Sequence, residues 1–317
     1  MSYTPQQRQV ITGYLAAIGA TVIWSGNFIV ARDLSATIPP VNLAFWRWVV
    51  AVIVFLPFAL KPLIAERHQL RTNIRYLSIT ALLGVTVFNT LIYIAGHTTS
   101  AMNLSLIAIT FPVFIVILSR IIFCEQITIF KLIGNFLVAG GVVLLVSKGK
   151  PASLLEISFA VGDLWMLGAS IIFAVYSILI KQKPEQLSIW SFQLSTFILG
   201  LIFLFPFYLW EFTTLPPVHY DLKSILSIFY IGVFASLTAF LLWNKAIAQI
   251  GPARSGMIYY TLPLFSGFLA YMFLGEHIGS LHFFSALLIV SGIFTANRQK
   301  KSPAPETAQK TIPVVRK

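Results

Sequence analysis

Apolar residues in this chain come in long unbroken runs rather than in the alternation of a strand or the stripe of a soluble helix. Between short polar breaks these runs lie roughly at 13–31, 41–60, 74–96, 99–123, 128–147, 160–180, 188–210, 223–244, 252–274 and 278–296. Each is close to the ~20 residues that an α-helix needs to cross a bilayer. The pattern predicts an all-α integral membrane protein of ten transmembrane helices joined by short loops. Residues after Ala296, rich in Pro, Lys and Thr, read as a disordered basic tail. The first run follows a polar start containing Arg8 and lacks a clear small-residue cleavage site, so it is expected to be a retained helix and not a signal peptide.

Composition sharpens this picture. Of 317 residues, 57% are hydrophobic, 14% aromatic and only 10% charged, with a mean hydropathy of +0.85. That balance excludes an ordinary cytosolic enzyme and leaves no room for a sizeable soluble domain. A formal net charge of +12 would suggest nucleic acid in a soluble protein. Here the Lys and Arg lie in loops and in the tail beside apolar spans, so the charge reads as membrane topology and no nucleic-acid partner is expected. With a cytoplasmic N-terminus, 17 of the 22 basic residues fall on the inside, 4 (Arg32, Lys148, Lys150 and Lys223) fall outside, and Arg47 lies within a span. Both termini are therefore expected in the cytoplasm of a multi-pass protein of the inner cell membrane. The single cysteine, Cys124, excludes a disulfide within the chain and cannot alone form a thiolate metal site. No metal or cofactor is expected.

The two halves resemble each other. A shift of 149 aligns Gly13-Tyr14-Leu15 with Gly162-Asp163-Leu164, Gly19-Ala20 with Gly168-Ala169, and Pro57-Phe58 with Pro206-Phe207. A shift of 151 aligns Thr110, Pro112, Phe114, Leu118, Glu125, Ile127 and Gly141 with Thr261, Pro263, Phe265, Leu269, Glu276, Ile278 and Gly292. The two residues of drift read as an ordinary loop difference. Five helices per half is an odd number, so the second half must run inverted across the bilayer. The expected divisions are a cytoplasmic N-terminus at 1–12, a first repeat at 13–147, a linker at 148–159, a second repeat at 160–296 and the tail at 297–317. Inverted repeats are the architecture of many secondary transporters, whose substrate sits near the midplane between the halves.

On these residues the chain resembles the drug/metabolite transporter superfamily, and within it the EamA group of ten-helix carriers. The resemblance rests on Trp24-Ser25-Gly26-Asn27-Phe28 and on Phe45-Trp46-Arg47-Trp48. It rests also on the run Tyr93, Ala95, Thr98, Ala101, Pro112, Glu125, Gly134 and Gly141, which recurs from Ala246 through Pro263 and Glu276 to Gly292. His97 and Thr98 depart from the pattern, facing Ile247 and Gln249 in the second half. The resemblance implies export of amino acids, other small metabolites or drugs through a central cavity lined by both halves.

All ten acidic residues lie in loops, tails or helix ends. Buried acids commonly serve as proton or sodium relays, so a facilitator or exchanger is favoured, with His97 the one alternative relay. Arg47 sits about 10 Å into the second span at ~1.5 Å per residue. It reads either as a cavity-facing cation for a carboxylate-bearing substrate, or as a structural group that snorkels between Trp46 and Trp48 or binds backbone carbonyls. Trp24, Asn27, Asn89, Tyr93, Asn103, Tyr176, Trp243, Asn244, Tyr259 and Tyr260 read equally as cavity lining or as interhelical hydrogen bonding and packing. Pro112 and Pro263, at equivalent places, are hinge candidates or static kinks. Small residues at Gly134, Ala139, Gly140, Gly141, Ser285, Ala286, Ser291 and Gly292 favour close helix contact, within one chain or across a homodimer.

The expected function is that of a secondary transporter, an exporter or facilitator of small organic solutes such as amino acids or related metabolites, working by alternating access. A lipid or drug flippase of the same fold is the alternative. An intramembrane enzyme would need a cluster of His, Asp or Glu within the spans, which the sequence lacks. The expected partners are a small-molecule substrate and membrane lipid.

Overall fold

The computed structural model describes residues 4–34, 37–99, 104, 107, 108, 110–147, 160–274 and 279–297. Every regular element among them is helical. We label the apolar helices α1 (Pro5–Leu34), α2 (Pro40–Ala65), α3 (Ile74–Thr98), α4 (Thr110–Phe123), α5 (Ile129–Val146), α6 (Val161–Lys181), α7 (Ile189–Thr214), α8 (Leu222–Ile250), α9a (Pro252–Tyr259), α9b (Leu262–Leu274) and α10 (Ser280–Ala296). A short helix, Arg67–Thr72, joins α2 to α3. Six of them (α1, α2, α3, α6, α7 and α8) are long and apolar enough to cross a membrane, and α4, α5 and α10 are shorter apolar helices. Phe136 is 77% exposed and Phe294 72%. Rings so bare are unfavourable in water and are accommodated by acyl chains, so the outer surface is one made for lipid.

Helix contacts recur between the halves. α1 packs on α8 as α6 packs on α3, α4 lies on α6 as α9b lies on α1, and α2 meets α8 as α7 meets α3. Two pairings are their own counterparts, α2 with α7 and α5 with α10. In the α5–α10 pair, a Cβ on Gly134 would stand 2.5 Å from the Gly292 carbonyl oxygen, and one on Gly292 2.7 Å from that of Gly134. The small residues singled out in the sequence thus seat these two helices against each other within one chain.

α3 and α8 each carry a π-helical stretch, Leu82–Val87 and Ile231–Thr238. The first spans 6 residues and the second 8. The starts are 149 residues apart and the ends 151, so the two residues of drift between the halves enter here, inside a membrane helix, and not in a loop. Wider π turns strand backbone carbonyls, and side chains collect them. Asn89 Nδ2 donates to the Gly84 carbonyl at 3.3 Å, and the Thr238 hydroxyl to that of Val233 at 2.9 Å.

α2 and α7 are tied at both ends. The amide groups at a helix start lack intrahelical acceptors and favour a negative charge. Glu211, near the end of α7, accepts from the amides of Val41 at 3.2 Å and Asn42 at 2.6 Å at the start of α2. Reciprocally, Glu66, just past α2, accepts from the Ser188 amide at 2.8 Å and from the Ser191 hydroxyl at the start of α7. Burial would raise the Glu66 carboxyl, but these hydrogen bonds and nearby Lys183 outweigh it and hold it below the usual carboxylate range.

Long-range hydrogen bonds join the helix ends: Thr12 with Gln249 at 3.0 Å, Lys181 with Glu125 at 3.2 Å, and Tyr220 with Asn42 at 2.6 Å.

Candidate functional site

Where the halves meet, helices from both contribute a continuous cluster of rings. Trp24 of α1 lies 5.6 Å from Phe173 of α6, 5.7 Å and 5.4 Å from Phe240 and Trp243 of α8, and 6.0 Å from Tyr259 of α9a. Phe111 of α4 joins them, 4.8 Å from Phe173 and 4.9 Å from Tyr259. The Trp24 indole N–H donates to the Ala235 carbonyl in the π turn of α8 at 3.0 Å. Edge-to-face and offset ring pairs such as these each add about 0.5–1.5 kcal/mol beyond their buried area, so the centre is firmly packed.

Two polar clusters flank the rings. In the first, Arg47 of α2 is 1% exposed. Its Nε donates to the Ser236 hydroxyl at 2.6 Å, and its Nη1 to Asn89 Oδ1 at 3.0 Å and to the Tyr93 hydroxyl. The guanidinium lies over the rings of Trp48 and Tyr93, at 5.4 Å and 5.7 Å. Arg47 therefore points inward and binds side chains of α3 and α8; it neither snorkels outward nor rests on backbone carbonyls. The salt bridges among the described residues are those of Glu125 with Lys131 and Lys181, so no described carboxylate pairs with Arg47.

The second cluster is neutral. Asn244 of α8 donates to Gln193 Oε1 of α7 and accepts from the Tyr176 hydroxyl of α6 at 3.1 Å. Trp243 Nε1 donates to the Ser177 hydroxyl at 3.1 Å. Tyr93 and Asn244 stand at equivalent positions of α3 and α8, one bound to α2 and the other to α7. The 149 shift puts Thr196 opposite Arg47, and its hydroxyl only turns back to the Gln193 carbonyl at 2.9 Å.

The structure thus brings together Trp24, Arg47, Asn89, Tyr93, Tyr176, Trp243, Asn244 and Tyr259. Asn27, almost one turn beyond Trp24, is half-buried and its Oδ1 has no hydrogen-bond partner. Tyr260 lies elsewhere: its hydroxyl donates to Asn135 of α5 at 3.2 Å and its ring packs with Val138, Met257 and Ile289. Asn103 lies outside the described residues.

Pro112 is the third residue of α4, and Pro263 the second of α9b, just past the turn at Tyr260 and Thr261 that separates α9a from α9b. In both halves the threonine two residues before the proline, Thr110 or Thr261, donates its hydroxyl to the carbonyl three residues back, each at 2.7 Å. The Ile258 carbonyl also accepts from the Thr261 amide at 2.9 Å, so the hydroxyl reinforces the turn ahead of the proline and does not fill the acceptor, four residues back, that the proline leaves unpaired.

Sequence reasoning missed Gln193, Ser236, Ser177 and Phe111, all buried at the centre. Gln193, an amide within the first turns of the seventh span, met the same criterion of an amide inside an apolar run that singled out Asn89. Ser236 and Ser177 carried no such signal, because serine is common in membrane helices and satisfies itself on its own backbone.

A family model described as the EamA-like transporter family matches the chain twice, over residues 11–147 and 160–298. A curated Bacillus subtilis relative named "Uncharacterized transporter YyaM" is 23% identical over 94% of this chain and 97% of its own. An "Uncharacterized transporter" of Archaeoglobus fulgidus is 28% identical over 86% and 93%. A Streptantibioticus cattleyicolor protein named "Probable terminal-alkyne amino-acid exporter" is 23% identical over 90% and 93%. A solved crystal structure, 18% identical, matches 90% of this chain and 96% of its own with a TM-score of 0.74, a likeness of fold.

Proposed function

The chain belongs to the EamA-like transporter family, a multi-pass membrane protein by its helices, and we propose that it is an alternating-access carrier that exports or facilitates passage of small organic solutes such as amino acids. In this reading ten helices form two inverted five-helix repeats, 13–147 and 160–296, joined by the linker 148–159 in the inner membrane, with both termini in the cytoplasm. The double family match and the recurrence of equivalent helix contacts in the two halves support it.

The observation that carries the reading is the composition of the centre. Rings, neutral polar groups and the Arg47 guanidinium, drawn from α1, α2, α3, α4, α6, α7, α8 and α9a, converge between the halves, beside the broken helix α9a–α9b. Interrupted helices and sites shared by two repeats are where carriers hold substrate. The rings suit an apolar group and the amides orient a polar end. The described side chains fill this centre, so opening to either face requires the Trp24–Trp243–Tyr259 contacts to part.

Flux in proteoliposomes of a labelled amino-acid and metabolite panel, with no imposed pH or sodium gradient, tests the reading. Counterflow of at least one solute is expected; no flux across the panel, or accumulation only under a proton gradient, counts against it. Cysteines at Ser2 and Thr311 should resist an impermeant thiol reagent in intact cells, and labelling of either from outside would overturn the orientation.

A further inference from the structure

Away from the central rings, a groove of about 420 Å³ opens where α2, the linking helix Arg67–Thr72, α3 and α7 meet. Its walls are aliphatic: Leu63 and Ile64 from the end of α2, Leu70 from the linking helix, Ile74 from α3, and Ile198 and Leu199 from α7. Ser195 also lines it, but its hydroxyl already donates to the Phe192 carbonyl at 2.9 Å. The start of α7 lies beside the end of α2, where the Ser188 amide donates to Glu66. Ile198 stands nine residues past the first residue of α7, about 14 Å along the helix. The groove therefore runs from the polar ends of the helices into the apolar span.

Its mouth is basic. Arg67 lines it, and Arg71 follows one helical turn later on the same face. Lys61 and Arg75 lie on the same short stretch, and all four side chains are exposed. Among the described residues, none of the four has a hydrogen-bond or ion-pair partner. Glu66, the acid between them, is already held by Ser188 and Ser191.

The equivalent place in the second half is built differently. A shift of 149 carries 61–75 onto 210–224, where Lys223 stands against Glu211 and Asp221. The same shift pairs Leu63 with Phe212 and Ser195 with Trp46, and those two rings flank Tyr208 at 6.0 Å and 6.3 Å. Rings fill that place, so the repeat does not by itself require an open, basic groove. A small soluble anion would meet the cations of the first half but nothing polar behind them. Clusters of Lys and Arg at a membrane surface attract anionic headgroups, and an aliphatic groove leading inward suits the chain below a headgroup.

We infer that the groove is a binding site for an anionic phospholipid, whose phosphate sits on Arg67 and Arg71 and whose acyl chain lies along α7. Since α2 and α3 come from the first half and α7 from the second, the lipid ties the two halves together at this end. The site is independent of any carried solute and of the orientation; the charge bias only assigns it to the cytoplasmic leaflet.

Melting temperature and lipid adducts in native mass spectrometry, measured on the purified full chain in neutral detergent, provide the test. Dioleoylphosphatidylglycerol should bind at least about tenfold more tightly than dioleoylphosphatidylcholine and raise the melting temperature more. Arg67→Gln with Arg71→Gln, at exposed side chains, should weaken phosphatidylglycerol about 10- to 30-fold, near the effect of two surface cations on an anionic lipid, and leave phosphatidylcholine unchanged. Lys245→Gln, at another exposed cation, should alter neither. Ile64→Gln with Ile74→Gln, which makes the groove polar and keeps the cations, should weaken both lipids. sn-Glycerol 3-phosphate, a headgroup without chains, should not displace the lipid. Equal binding of the two lipids, an unchanged arginine variant, a loss matched in Lys245→Gln, or displacement by glycerol phosphate overturns the proposal. So does a dimer that Ile64→Gln with Ile74→Gln dissolves, since a second copy of the chain would then fill the groove.

Discussion

The two polar clusters beside the central rings occupy related places and have different chemistry. In the first half, α2 sends a cation, Arg47, to Tyr93 on α3. In the second, α7 sends an amide, Gln193, to Asn244 on α8, the residue equivalent to Tyr93. Around both clusters the scaffold is shared: a π turn in α3 and in α8, a threonine before each proline, a carboxylate over the start of α2 and of α7. The two halves share what packs the helices and differ in the polar groups they send to the centre. One side is charged and the other only forms neutral hydrogen bonds, so in the proposed carrier a substrate is held in one orientation by a nearly symmetric fold.

Unequal consequences of the same replacement in the two clusters would sharpen this comparison most. Arg47→Met should lower the initial rate of counterflow at least ~100-fold, since it removes a charge and leaves Asn89, Tyr93 and Ser236 without their donor. Gln193→Met should lower it less than about tenfold. Equal losses would break the distinction between a charged and a neutral side.

The shared scaffold should instead respond equally. A Cβ on Gly84 would lie 2.3 Å from the Tyr176 ring, and one on Gly232 2.6 Å from Val50 and 2.9 Å from the Arg47 carbonyl oxygen. Gly84→Ala and Gly232→Ala should each cost about 1–3 kcal/mol, as overpacking does, and lower the melting temperature in detergent by similar amounts. A loss confined to one of them would mean that only one π turn is tightly seated.

A smaller effect is expected at the reciprocal caps. Glu211→Gln, at a buried carboxylate, should destabilise by about 1–2 kcal/mol. Glu66→Gln, at a more solvated one, should cost less than about 1 kcal/mol after screening. Both would be read from unfolding midpoints.

The smallest effect is the pH dependence of Glu66. Its folded-state pKa is depressed by hydrogen bonds from Ser191 and Ser188, against the opposing effect of burial. Its stabilising contribution is therefore present above the ordinary carboxylate pKa of about 4.3 and is lost as pH falls through the depressed value. Melting curves of the wild type and Glu66→Gln should converge at acid pH; curves that stay parallel would rule this out.

Much of the molecule was legible before folding. Spans such as 41–60 and 188–210 were correctly located and proved longer, α2 and α7 having 26 residues each. The ninth run, 252–274, reads as one continuous apolar stretch, yet it breaks at Tyr260 and Thr261. Pro263 was visible, but the position of the turn depends on where the chain packs. Aromatic and amide residues flagged in the spans largely met at the centre. Tyr260 turned instead to Asn135, because it stands in the turn that ends α9a, about 100° round from Tyr259.

What the sequence determined by itself is set by local quantities. Run length against bilayer thickness makes the chain a helical membrane protein, charge per loop sets its expected orientation, and spacing of Pro, Glu and Gly reveals the repeat. The tertiary structure alone decided the rest. It placed the two-residue offset in the π turn of α8, which composition cannot reveal because α and π turns differ only in which carbonyl each amide reaches. It also turned Arg47 inward onto Ser236, 189 residues away. A cation in a span can snorkel, pair or bind, and which it does depends on the groups that other helices bring within about 3 Å of it.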